Sequence, residues 1–153
     1  MGFVIIIAVV CVAEMLIRRG VQKTIKQNET KELKNLPFFL HRHHNYGMAG
    51  NRLQERPMLV KILGVAALSV IVVIFLFILS LKGKEGIKIG LALVIGGGLA
   101  NLLERFLHGY VTDYIQFKVP IPRLRTLVFN VADFCVFIGG IIMILSNCLS
   151  QDE

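Results

Sequence analysis

The sequence predicts an all-α integral membrane protein of four transmembrane helices. Apolar residues make up 55% of its 153 positions, with a mean hydropathy of +0.68. That exceeds the more even balance of a water-soluble domain. The apolar residues also lie in blocks: Ile62 to Leu81 is a run of twenty residues without a charge. At about 1.5 Å per helical residue, such a run matches a hydrocarbon core of ~30 Å.

The helices are expected over about 2–18, 58–81, 86–108 and 127–149 of a single domain spanning 1–153. The first candidate, Gly2 to Ile17, is the shortest and carries Glu14. No basic stretch precedes its apolar run, as a cleavable signal peptide would require, and Val10 is not the small residue of a lipobox before Cys11. The segment is therefore expected to stay as a helix. Lys82-Gly83-Lys84-Glu85-Gly86 makes a tight hairpin between the second and third helices. Pro120 and Pro122 exclude a helix continuing from the third into the fourth. The polar stretch from Arg18 to Pro57, with the loop proper at 19–57, is too long for a turn and should hold structure of its own.

A formal charge of +7 from 17 basic and 10 acidic residues could suggest nucleic acid. In a membrane protein such an excess belongs beside lipid headgroups instead. The basic run Arg18 to Lys34 is read as such a surface. Nine basic residues fall in the first loop: Arg18, Arg19, Lys23, Lys26, Lys31, Lys34, Arg42, Arg52 and Arg56. By the positive-inside rule alone they argue for a cytoplasmic loop. Cys11, Cys135 and Cys148 lie in apolar segments without metal-ligand spacing and read as small buried hydrophobes. His41-Arg42-His43-His44 has no Cys or Asp beside it, and is read as a solvated loop titrating near about 6.5 rather than a metal site. Phe38-Phe39 is either an interfacial anchor or the loop's own core.

Carboxylates at membrane helices are costly, by roughly 2.5–3.5 kcal/mol on insertion scales, and so ask for a reason. Asp133 stands near the start of the fourth helix with Asn130 three residues before it, on the same face. Asp113 follows the end of the third helix. The third and fourth helices run antiparallel, so these ends share a membrane surface and the two aspartates can meet. Asn101 and Arg105, four apart, share a face near that surface, where a guanidinium can hold a carboxylate or a peptide carbonyl. Gly96-Gly97-Gly98 lets another backbone approach closely. Two facing carboxyls share a proton, one partner activating water and the other polarising a scissile carbonyl.

These segments resemble the signatures of bacterial lipoprotein signal peptidases, the signal peptidase II family. The third-helix signature is carried by Gly97-Gly98-Leu99-Ala100-Asn101-Leu102-Leu103-Glu104-Arg105 with Gly109-Tyr110-Val111-Thr112-Asp113-Tyr114-Ile115. Phe129-Asn130-Val131-Ala132-Asp133 is similar to the fourth, Asn45-Tyr46-Gly47-Met48-Ala49 to an Asn-x-Gly-Ala-Ala element, and Glu14 to Arg18 to an Asp-x-x-x-Lys element. The resemblance implies a four-helix bundle with a small extracytoplasmic β-cradle from the first loop, monomeric and multi-pass in the bacterial cytoplasmic membrane. It also implies an aspartyl endopeptidase that needs no metal or other cofactor. Its substrates would be diacylglyceryl-modified prolipoproteins, cut before the lipidated cysteine. Asp113 and Asp133 would be catalytic, with Glu14, Asn45, Asn101, Arg105 and Asn130 binding or supporting. Both termini would be cytoplasmic, against the charge count. Glu14, Glu104, Gly50 and Phe134 depart from the family pattern. A non-catalytic paralogue that binds lipidated peptides and a small four-helix transporter remain the competing readings.

Overall fold

In the computed structural model, which describes residues 2–48 and 52–149, the usual arrangement of a soluble protein is inverted. Glu14, Arg18, Lys88, Glu104, Thr112, Asp113 and Asn130 are buried, while Val4, Val9, Leu16, Val73, Phe77 and Ile144 are exposed. Apolar side chains turned outward suit a lipid solvent, and polar ones turned inward find partners there.

Among the described residues four long helices carry the architecture: α1 (Gly2–Thr24), α2 (Pro57–Leu79), α3 (Glu85–His108) and α5 (Val131–Leu149), with a one-turn α4 (Pro122–Arg125). Among the described residues α2, α3 and α5 are long and apolar enough to cross a membrane. The first helix is as long but carries Glu14, Arg18, Arg19 and Lys23, so the expected four spans are borne out for three. The central element is α3, which packs against α5, α1 and α2.

The chain is not all-α. Strands β1 (Thr30–Glu32), β2 (Phe38–Asn45), β3 (Val111–Phe117) and β4 (Val128–Phe129) form one antiparallel sheet in the order β1-β2-β3-β4. The expected cradle from the first loop therefore supplies half the sheet, and the connection after α3 supplies the rest. Helix α5 correspondingly begins at Val131 rather than near 127, because Val128 and Phe129 pair with Gln116 and Ile115 of β3. Helix α1 runs past the expected boundary to Thr24, and the carbonyls of Gln22 and of Ile25, just beyond its end, accept bonds from the Arg42 guanidinium at 3.1 Å each. Arg42 thus caps the end of α1. The histidines are strand residues, not a solvated loop: His44 is buried and stacks on Tyr110 with ring centroids 3.8 Å apart. Burial, then the charges of Arg42, His43 and His108, push its pKa down to about 4; burial lowers His41 and His43 as well. Cys11 is buried as expected, Cys135 partly so, and Cys148 is exposed on an outward face. Phe38 and Phe39 are half-buried at the start of β2, with the Lys118 ammonium 4.7 Å from the Phe39 ring centroid.

Lipid gives helices little hydrophobic reason to associate, so close backbone approach at small residues must do it. A Cβ at Gly97 would lie 2.5 Å from the Ala132 carbonyl oxygen of α5, and one at Gly90 2.6 Å from that of Gly139. A Cβ at Gly96 would meet the Val10 side chain of α1 at 2.9 Å. Gly97 therefore sets how near α5 comes to α3, one residue from Asp133. Gly97→Ala should destabilise by about 1–3 kcal/mol through overpacking. Gly20→Ala, on α1 with nothing within 4 Å of the added carbon, should leave stability unchanged or raise it slightly. Thermal melting in detergent checks both; a Gly97→Ala protein that melts like the parent removes the packing argument.

Candidate active site

Strand β3 alternates, as strands must. Thr112 and Tyr114 face one way and Asp113 the other. On Asp113's side, β2 pairs His43 with Asp113 and Asn45 with Val111, after a register irregularity between Leu40 and His43. Directly opposed residues share a face and diagonal ones lie within reach. Asn45, at the end of β2 rather than in a loop, accordingly donates its amide to Asp113 Oδ2 at 3.0 Å. Gly50 and Ala49, which belong to the same first-loop motif, lie outside the described residues.

Asn130 stands immediately before α5. Its side-chain oxygen accepts the Asp133 N–H at 2.9 Å, and Asp133 Oδ2 accepts the Asn130 N–H at 3.1 Å. This reciprocal pair is a capping box, with Asn and Asp in place of the commoner residues. It fixes the start of α5 and orients Asp133. Because Asn130 spends its oxygen on the cap, its amide nitrogen is left to donate, and it does so to Asp113 Oδ1 at 2.7 Å. One asparagine therefore joins both carboxyls. The third amide is Asn101 on α3, which donates to Asp133 Oδ1 at 3.0 Å.

All three amides are oriented by donors on their oxygens. The Gly47 N–H holds Asn45 Oδ1 at 3.0 Å, the Asp133 N–H holds Asn130, and the Arg18 guanidinium holds Asn101 Oδ1. Each NH2 group then has one direction to point, toward an aspartate. Asp113 is 3% exposed. Burial and then the Asp133 charge raise its pKa to about 7, against the Asn130 and Asn45 hydrogen bonds and the Arg18 charge.

The two carboxyls lie at the polar end of a cavity of about 440 Å³, whose lining includes Asn45, Asn101, Arg105, Asp113, Asn130 and Asp133. Its other walls are apolar, with Val60, Leu63, Gly64 and Ala67 of α2 and Val136 of α5. A further 220 Å³ continues between the helices past Leu68, Ile71, Val94 and Leu102. On the side of the sheet, Asp113 also lines a hollow with His41, His43 and Gln116. Of the expected site residues, Glu14 alone stands apart from these cavities.

Glu14 belongs instead to a buried network behind β3. Its Oε1 meets the Arg18 Nε at 2.7 Å, and Arg18 Nη1 meets Glu104 Oε2 at 2.6 Å and the Ala100 carbonyl at 3.1 Å. Glu104 accepts from the Thr112 hydroxyl at 2.8 Å and its N–H at 3.2 Å. Tyr114 donates to Glu14 Oε2 at 3.0 Å and accepts the Val131 N–H at 3.2 Å. Burial, followed by the Glu14 charge, pushes the Tyr114 phenol up. Sequence reasoning missed this role for Arg18, Glu104, Thr112 and Tyr114, and its headgroup-facing reading of Arg18 fails: Arg18 is 2% exposed. The usable signal was the spacing Glu14, Arg18, Gln22, one face of α1 at every fourth residue; Gln22 completes it by donating to Thr112 Oγ1 at 2.9 Å. Phe134, a departure from the expected pattern, packs with Phe117 and Phe129 at ring-centroid distances of 6.0 and 5.9 Å, beneath β4.

The fold is shared with solved bacterial membrane proteins. A bacterial membrane enzyme solved by the in meso method at 2.3 Å superposes with a TM-score of 0.81 over 98% of this chain and 89% of that one, at 22% identity. A second such structure, at 1.9 Å, gives 0.79 over 95% and 91%, also at 22% identity. The family described as signal peptidase (SPase) II matches residues 6–149, and the chain belongs to that family. The lipoprotein signal peptidase of Brucella ovis is 34% identical over 153 aligned residues, 96% of this chain and 88% of that protein. That of Photorhabdus laumondii is 40% identical over 87 residues; there the match spans 57% of this chain and 50% of the relative.

A carboxyl whose folded pKa is raised stabilises most below its unfolded value and loses that contribution as pH rises through the folded one. For Asp113 the window runs from the ordinary 3.8 to about 7. Asp113→Asn should therefore gain on the parent protein across that window, by on the order of 4 kcal/mol, and level off above it. Melting curves of both proteins in detergent between the two pH limits check this; a constant difference would contradict it.

Proposed function

We propose that the protein is an aspartyl endopeptidase of the bacterial cytoplasmic membrane. It removes signal peptides from diacylglyceryl-modified prolipoproteins, cutting before the lipidated cysteine, with Asp113 and Asp133 as the catalytic pair. The observation that carries this reading is the joining of two carboxyls by Asn130 at the polar end of an apolar cavity. A lipidated peptide is itself amphipathic in that sense: acyl chains and an apolar leader need hydrocarbon-like walls, and the scissile amide needs polar groups at one level.

The chemistry follows from a shared proton. The ionised carboxylate takes a proton from a water as it attacks the scissile carbonyl, while the protonated partner donates to the carbonyl oxygen. Collapse of the tetrahedral species returns a proton to the leaving amine. Arg105, in the wall of the same cavity, offers guanidinium donors to a substrate carbonyl or to the ionised carboxylate. Asn45, Asn101 and Asn130 hold the pair in position, and Glu14 supports them from behind.

We read the sheet as extracytoplasmic, as the family resemblance implies. Several basic residues of the first loop support this by having structural work: Arg18 and Arg42 are bound to carboxylates or helix carbonyls, and Arg19 and Lys23 belong to α1. The charge count then describes a helix end and its cap as much as a free loop.

Asp113→Asn and Asp133→Asn should each reduce release of signal peptide from a purified diacylglyceryl-modified prolipoprotein by about 10²–10⁴-fold, with the protein still inserted and folded. Retained cleavage in Asp133→Asn would sink the mechanism. Tight binding of the lipidated peptide to the unmutated protein without any release would favour a binding paralogue.

A further inference from the structure

The carboxyl pair is symmetrical in one respect and unsymmetrical in another. Each aspartate accepts two N–H donors, but only Asp133 has a donor backed by a charge. Asn45 and Asn130 are oriented by backbone N–H groups, whereas Asn101 is oriented by Arg18. Arg18 can only donate, so Asn101 must turn its oxygen to the guanidinium and its NH2 to Asp133. The second donor on Asp133 is the backbone N–H of Asn130, and Asp133 lies in the first turn of α5, where the helix dipole favours an anion.

We propose that Arg18 is a positioning residue for the pair: by holding Asn101 Oδ1 it fixes that amide as a donor to Asp133, making Asp133 the ionised member and leaving the shared proton on Asp113. Arg18 does not line the cavity of the carboxyls; its bonded route to the pair runs through Asn101, beside the direct effect of its charge. Three features qualify it for this. Its Nη1 is held by Glu104 and the Ala100 carbonyl, and Glu14 is ion-paired beside Nε, which fixes where the guanidinium sits. Its Nη2 is then the arm aimed at Asn101. Burial at 2% exposure keeps water from substituting for it. The charged groups that act on Asp133 are Arg18 and Glu14 from α1, Arg105 from α3 and Asp113 from β3; Glu104 of α3 is ion-paired with Arg18. Among these, Arg18 alone is connected to Asp133 by an oriented amide.

This assignment rests on reading the pair as catalytic, and its test separates the two. The pH dependence of kcat/KM is measured for cleavage of a diacylglyceryl-modified prolipoprotein. In Arg18→Gln the acidic limb should move up by about one pH unit, a tenfold loss of the active form at fixed pH, with the rate recovering at higher pH. Arg18→Lys, restoring a cation, should move the limb back. In an Asn101→Ala background Arg18→Gln should shift it by clearly less, since the part carried by that amide is already gone; an undiminished shift would overturn the positioning role. A merely structural Arg18 would lower the rate equally at every pH and leave the limb in place, which would overturn the proposal.

Arg18→Gln strands two buried carboxylates. The neutral triple variant Glu14→Gln, Arg18→Gln, Glu104→Gln removes all three charges, and the same limb shift is expected of it. A second readout needs no turnover. The protonated-carboxyl infrared band titrating near pH 7 should vanish in Asp113→Asn and persist in Asp133→Asn. A band that instead vanishes with Asp133→Asn overturns the assignment whatever the catalytic result. Absence of cleavage by the unmutated protein, with the infrared pattern as expected, would bring down the peptidase reading and leave the positioning intact.

Discussion

The cation at Arg18 is the constraint around which the rest is arranged. A guanidinium buried near a bilayer is tolerable only when its donors are met by well-placed acceptors. Arg18 finds Glu14 one turn below it, Glu104 and the Ala100 carbonyl on α3, and the Asn101 side chain. Meeting those acceptors fixes the rotation of α1 against α3. Glu104 in turn needs the Thr112 hydroxyl and N–H, and Glu14 needs Tyr114. The start of β3 is thereby pinned to both helices, and Tyr114 reaches on to the first N–H of α5. Four elements are registered by satisfying one charge.

Backbone proximity completes what the charges begin. Where polar bonds set the rotation and height of the helices, Gly90 and Gly97 of α3 set their separation from α5. The two devices converge on the same short stretch: Asn101 lies one turn beyond Gly97, and Asp133 directly follows the Ala132 that Gly97 touches. An error in either would be felt as a misplaced amide on a carboxylate, which is a costly error where water is scarce.

The membrane segments were legible because length and apolar content are local properties of the chain. Helices α2 and α3 fall within two residues of their expected ends. The candidate pair was legible too, since Asp113 and Asp133 are polar residues where polarity is expensive and antiparallel helix ends must meet. The strands were not. Thr30 to Glu32 is all charge and hydroxyl, and Val128-Phe129 reads equally well as the first turn of an apolar helix; each becomes a strand through a partner distant in sequence. Arg18 was misread for a related reason. A basic residue at the end of an apolar run resembles a headgroup contact, and only the fold supplies Glu104, 86 residues on, to bury it. Asn45 was found by resemblance, and its bond to Asp113 depends on a register irregularity in β2 that no residue in the segment announces.

Strand β3 divides the protein in function as well as in space. Alternation sends Thr112 and Tyr114 into the charged network and Asp113 to the cavity, so one short strand connects structural support on one face to reacting groups on the other. The two aspartates are consequently unlike, though they share an asparagine. Asp113 is held by strand pairing in a nearly dry site between two neutral amides. Asp133 is held at a helix start, with a backbone N–H and an amide pressed on it by a cation. An aspartyl pair needs its members to differ, because one must keep a proton while the other accepts one. Here the difference comes from the kinds of element on which they stand, a strand and a helix N-terminus, before any substrate enters.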